Sequence, residues 1–332
     1  MAIASRMQPM YKRLKRAGFP EKYVREKVLP DWWDDHIAET PAGYGQAVTM
    51  IALNLNIDPC SLEDEQSEIV CTKFGKPKYK KQAGHTDGEL EPATCIAVRA
   101  AKIACLGVDI GAAPVPVSAQ EIRRSLLARG SQCVHFEALL DYCWSLGIPV
   151  LHVSEFPSGK KPDALSATMD GRPAIVLCKK IQYSAWLLFH LAHELGHIAL
   201  GHLEGAGVLI DEEVKSDTDE EETEANRFAI ELLTGQSERH INFGDLITSS
   251  SLASKVVAVG QYNTIDAGFL ALLHGRATGN WGTVNGALKF IEEKPRAIEA
   301  VRSRMLAHVD EERLSSESYG FLLRITGSDD VA

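Results

Sequence analysis

Ala185-Trp186-Leu187-Leu188-Phe189-His190-Leu191-Ala192-His193-Glu194-Leu195-Gly196-His197-Ile198-Ala199-Leu200 is the stretch that decides how this chain reads. Its apolar run holds no Gly or Pro until Gly196, so the pattern predicts one buried helix. On a helix, residues four apart are offset by only ~40° and rise ~6 Å, so the imidazoles of His193 and His197 aim at one spot. That spacing suits two ligands of a tetrahedral zinc, with Glu194 beside the metal as general base. Burying three ionisable groups without a partner would be costly, which favours a bound cation over a plain core helix.

The rest of the composition sets bounds. The chain has 332 residues, 45% hydrophobic and 24% charged, which fits a globular protein of two domains or three small ones. No apolar stretch has the length of a membrane span, and Met1 to Lys15 lacks a signal-peptide core. The expectation is a cytoplasmic protein with no membrane partner. Seven cysteines are scattered with no Cys-x-x-Cys pair, so reduced structural thiols are expected rather than a disulfide frame.

A net charge of −10 argues against wholesale nucleic-acid binding, but the charge is unevenly spread. Residues 1–30 hold eight Lys or Arg against Glu21 and Glu26, a net of +6, whereas Asp211 to Glu224 holds nine acids in fourteen residues. Residues 1–65 read as a helical domain with a basic front. It is either helix-turn-helix-like, touching DNA through Lys12, Arg13, Lys15 and Arg16, or a plain interaction domain. No tight turn followed by a recognition helix decides between them. Residues 66–117 read as a Lys- and Gly-containing linker followed by a connecting helix, and 236–332 as a C-terminal helical region.

Between them, 118–235 carries the chemistry. A capping box, Ser118-Ala-Gln-Glu121, opens a helix, and a second helix runs from Phe136 to Leu146. Strands are expected at 147–153 and 172–178, directly before the motif helix. The fold class is therefore α+β, mostly helical, with a small sheet and helical flanks. A catalytic zinc needs a third protein ligand besides its water. A His six residues beyond His197 would serve, but Leu203 stands there, and His202 is too close along the chain to fold back. The alternative is a carboxylate from the next helix, Glu222-Thr-Glu-Ala-Asn-Arg-Phe-Ala229. Glu222, Asn226 and Ala229 share one face, so Glu222 would ligate while Asn226 steadies it. Glu221 and Glu224 fall on other faces and are expected in solvent.

The two motifs together resemble the ImmA/IrrE-type metallopeptidases of bacteria and their mobile elements. The likeness rests on Phe189-x-Leu-Ala-His-Glu-Leu-Gly-His197 with its Leu200-Gly-His202 tail, on the preceding strand Pro173-Ala-Ile-Val-Leu177, and on Glu222-x-x-Ala-Asn-x-Phe-Ala229. It covers roughly 118–235. The resemblance implies a zincin-like core with zinc held by His193, His197 and Glu222, and Glu194 as catalytic base. It also implies a protein substrate, a helix-turn-helix repressor whose cleavage releases stress, phage or mobile-element genes. Two departures stand out. His190 replaces a small polar residue and is expected to stand behind the ligands or in the core, and Thr234-Gly235-Gln236 replaces a Met-Pro ending. The oxyanion partner is open among Tyr183, His152, His190 and His240. Two rival readings stay open: a DNA-binding regulator that uses zinc as a sensor, and a toxin–antitoxin or defence partner that only binds.

Overall fold

The computed structural model describes residues 6–64, 66–71, 78–79, 89–111, 113–203, 208–211, 220–244 and 246–328. The chain begins with four helices: α1 (Met7–Arg16), α2 (Glu21–Tyr23, continuing into a π-turn at Val24–Val28), α3 (Pro41–Leu55) and α4 (Pro59–Glu63). Thr40 opens α3 by accepting the Gly43 amide on its Oγ1 at 3.0 Å, with Pro41 in the first turn, where its missing N–H costs nothing. Then come β1 (Lys78–Tyr79), α5 (Glu91–Gly107), α6 (Ala119–Ala128), α7 (Phe136–Ser145), β2 (Val150–His152), β3 (Ala164–Met169), β4 (Arg172–Leu177), α8 (Ser184–Ala199), β5 (Val208–Asp211) and α9 (Glu220–Thr234). Five helices close the chain: α10 (Ser249–Asn263), α11 (Ala267–Thr278), α12 (Trp281–Ile291), α13 (Ala297–His308) and α14 (Ser316–Thr326).

The mostly helical, α+β expectation holds. The strands make one mixed sheet in the order β1-β5-β3-β4-β2. Its centre is a hairpin that the sequence reading passed over. β3 runs antiparallel to β4 with Met169 opposite Arg172, and Asp170 and Gly171 turn the chain at φ +50° and +82°. Two consecutive left-handed residues are what a type I′ turn needs, and Asp-Gly supplies them. Successive positions along β3 and β4 are buried, so both faces of these strands are covered. Helices α5 and α8 both pack on this hairpin.

One continuous apolar core runs from Met7 to Ile325. Polar ties cross it as well. The Tyr23 hydroxyl donates to the Glu155 carbonyl (3.1 Å), Arg324 Nε to the Lys27 carbonyl (3.2 Å), and the Arg99 guanidinium to Ser318 Oγ (3.0 Å). The expectation of seven reduced thiols is corrected: Cys71 and Cys95 are paired as a disulfide, with a Cα–Cα distance of 6.8 Å. Their 24-residue separation hid the pairing, because only folding brings Cys71 to Cys95 near the start of α5. Of the expected linker, Lys78–Tyr79 pairs in parallel with β5, while 72–77 and 80–88 lie outside the described residues. The acidic stretch at 212–219 lies outside them too. Among the described residues no single helix is long and apolar enough to cross a membrane. Only α10 and α11 taken together reach that length and composition, and they are bent by 117°.

Candidate metal centre

α8 is buried along nearly its whole length, as its composition demands, and His193, Glu194 and His197 are fully buried. α9 crosses it closely because Gly196 lacks a side chain. A Cβ there would meet the Phe228 ring at 3.1 Å and the Ala225 carbonyl at 3.3 Å. The close approach brings Glu222, in the first turn of α9, onto the imidazole pair. His193 Nε2 and His197 Nε2 are 3.0 Å apart. Glu222 Oε2 lies 3.2 Å from His193 Nε2, and its Oε1 lies 3.0 Å from His197 Nε2.

Among the described residues this is the group whose donor atoms could hold a metal ion, all within 4.8 Å of one another. Donors on a tetrahedral zinc with bonds of roughly 2.0–2.1 Å stand about 3.3 Å from each other, so the spacing fits with a small adjustment. The donor chemistry fits as well: two imidazoles and one carboxylate leave a fourth position for water. Burial pushes the Glu222 carboxyl upward, but hydrogen bonds and charge from His193 and His197 outweigh it and hold the group well below the usual carboxylate range. It is thus an anion ready to ligate.

The neighbourhood departs from expectation in two places. His202 does fold back. α8 ends in a Schellman turn, with Gly201 at φ +77°. The Gly201 amide donates to the Ile198 carbonyl (3.2 Å) and the His202 amide to the His197 carbonyl (3.0 Å). The turn sets His202 Nδ1 at 2.9 Å from His197 Nδ1, on the side away from Glu222. Glu224 is not simply solvated: half-exposed, it sets Oε2 at 3.1 Å from His202 Nε2. The glycine after the helix was the signal that could have revealed this.

His190 is buried but turns aside from the cluster, its Nε2 3.8 Å from Asp163 Oδ2. Burial drives its imidazole down to about 3, against the pull of Asp163. Asn226 lies on α9, its Oδ1 buried and without a hydrogen-bond partner among the described residues. The four oxyanion candidates now separate. His152 is committed to the Lys179 carbonyl (3.0 Å) and Ser154 Oγ (3.1 Å). Tyr183 precedes α8, and ten residues of helix, roughly 15 Å, part it from His193. His240 is exposed beyond α9, and His190, one turn before His193 on α8, faces Asp163 rather than the cluster.

Of the four basic residues proposed for DNA, Lys12, Lys15 and Arg16 are exposed on α1. Arg13 is differently placed: its guanidinium donates to the carbonyls of Leu62 (2.8 Å), Ser61 (2.5 Å) and Ser67 (2.8 Å), tying α1 to the α4 turn.

Residues 150–247 match the Peptidase_M78 family model, described as an IrrE N-terminal-like domain. This segment is of the ImmA/IrrE type. It holds β2 through α9, including all four residues of the candidate centre, and the matched family is one of metallopeptidases. No curated protein and no solved structure matches the chain.

Proposed function

We propose that this protein is a zinc-dependent endopeptidase whose substrate is a partner transcriptional regulator of the helix-turn-helix type. The observation that carries the reading is Glu194, buried in the same helical turn as two imidazoles that meet the Glu222 carboxylate. A structural zinc is closed by four ligands and has no use for a general base; three donors with a carboxylate at their side are the arrangement for activating water. When bound, zinc would act as Lewis acid on the scissile carbonyl and make its water more acidic. His193, His197 and Glu222 would hold the ion. Glu194 would accept the proton from the attacking water as the new C–O bond forms, and then deliver it to the amine nitrogen as the peptide C–N bond breaks. The family match supports the peptide-bond chemistry; the regulator as substrate comes from the family resemblance.

Glu194→Gln tests the reading. Gln keeps the shape and can still hydrogen-bond water but cannot take its proton, which should lower the rate by ~10²- to 10⁴-fold with zinc retained. The protein would be co-expressed with a helix-turn-helix regulator taken from among its neighbouring genes, followed by blotting for regulator fragments and by a promoter reporter. Fragments with wild type and none with Glu194→Gln are expected. Reporter induction by both forms without any fragment would sink the enzyme reading and leave binding alone as the activity.

A further inference from the structure

We propose that His202 and Glu224 form a positioning pair that fixes the tautomer and ring orientation of His197; the inference rests on His197 being a metal ligand. Two ring nitrogens facing each other at 2.9 Å require one donor and one acceptor. His197 can ligate through Nε2 only if that atom presents its lone pair, so its proton sits on Nδ1. Nδ1–H then donates to His202 Nδ1, which leaves the His202 proton on Nε2, and there Glu224 Oε2 accepts it at 3.1 Å. With a metal held by Nε2, each imidazole has a single arrangement that satisfies the contacts running from His197 through His202 to Glu224. Carboxylate, imidazole and ligand imidazole thus run in series, the order that raises ligand basicity and locks a metal-bound histidine in place.

The backbone builds the pair deliberately. The Schellman turn at Gly201 fixes His202 through its own amide. Glu222 and Glu224, two residues apart on α9, diverge by roughly 200° around the helix. One therefore reaches the Nε2 side of His197 while the other reaches His202 behind it. α9 grips the ligand from both ends.

The test uses full-length protein stripped by a chelator and titrated with Zn²⁺ against a chromophoric competitor. His202→Phe fills the space without an acceptor and is expected to weaken zinc binding by ~10- to 100-fold. His202→Gln is expected to stay within a few-fold of wild type, since its amide oxygen can accept from His197 and its NH₂ can donate to Glu224. Glu224→Ala, at a half-exposed site that the fold does not depend on, should lose a few-fold. ¹H–¹⁵N spectra of the zinc-loaded protein provide a second readout: a His197 Nδ1–H resonance moved downfield by its hydrogen bond in wild type and Gln variant, and shifted back upfield in Glu224→Ala and His202→Phe. Wild-type affinity and a wild-type Nδ1–H shift in His202→Phe and Glu224→Ala would overturn the pair while leaving the ligands standing. Failure of the wild type itself to bind zinc would overturn both readings. Should His202→Phe not fold, Glu224→Ala with the His202→Gln rescue decides the matter.

Discussion

A carboxylate set 3.0–3.2 Å from two imidazole nitrogens in a dry interior is an assembly that wants a cation. One zinc per chain is accordingly expected by metal analysis, with stoichiometry lost in His193→Ala and in Glu222→Ala. Zinc persisting in both variants would remove the assignment. Histidines elsewhere set a different property, acid stability. His152 is buried against the Lys179 carbonyl, and burial, helped by nearby Lys161, Arg302 and Lys180, lowers it to about 4 from 6.5. The unfolded chain therefore takes up a proton below pH 6.5 that the folded chain refuses until about pH 4. Stability is then full above pH 6.5 and falls as the pH drops through that window, by roughly 3 kcal/mol at most. His152→Gln keeps a donor for the carbonyl and does not titrate. Urea midpoints at pH 7 and 4.5 in chelator should fall further for wild type than for the variant. Equal falls would show that His152 does not carry the acid sensitivity.

Between elements, the α8–α9 contact decides whether the donors meet. Gly196→Val would press on the Phe228 ring and the Ala225 carbonyl, which already stand 3.1–3.3 Å from a single added Cβ. Overpacking of this kind typically costs ~1–3 kcal/mol, and α9 should move away with Glu222. Zinc affinity is expected to fall at least tenfold with all four site residues intact, and unchanged affinity would show that the crossing is not what sets Glu222. This dependence explains what could be read in advance. The helical periods of α8 and α9, their order and the spacing of His193, Glu194 and His197 are local properties, and so is the Ser118 cap. Glu222 was legible because its face of α9 is apolar around it. β3 was missed although Asp170-Gly171 announces a hairpin, because Ala164–Met169 carries small residues whose strand character comes from being sandwiched between β4 and β5. β5, Val208–Asp211, is only four residues long and abuts the acidic run that begins at Asp211. The Cys71–Cys95 pairing depends on segments that only folding brings together, and composition carries no trace of it, whereas the His202–Glu224 contact had one local signal, Gly201 just past α8.

Across the whole molecule, charge is sorted less simply than the +6 of residues 1–30 suggests. Several of those cations are engaged by groups of this same chain. Arg13 ties down three carbonyls, Arg6 lies over the Tyr44 ring at 4.5 Å, and Arg25 pairs with Glu21 and Asp35. Of the five others, Lys22 stands by Glu26 at 3.9 Å and Lys27 follows it, while Lys12, Lys15 and Arg16 form an exposed face of α1, sharing one side at i, i+3 and i+4. If that face meets DNA, it does so through phosphates, and each contact releases counterions. The slope of log affinity against log salt should then be about −0.9 per contact. A duplex from the protein's own promoter should shift at low salt, and reversing these three residues to Glu should flatten the slope by roughly 3. Arg13→Glu should instead lower thermal stability, since its partners are the 61, 62 and 67 carbonyls rather than a ligand. The decisive comparison is between the triple reversal and Arg13→Glu, each measured for DNA affinity and for unfolding. Loss of binding with intact stability in the first would place the contact on α1. A shift indifferent to the triple reversal, or no shift at all, would leave the basic front as a surface for protein and return the N-terminal helices to the role of an interaction module.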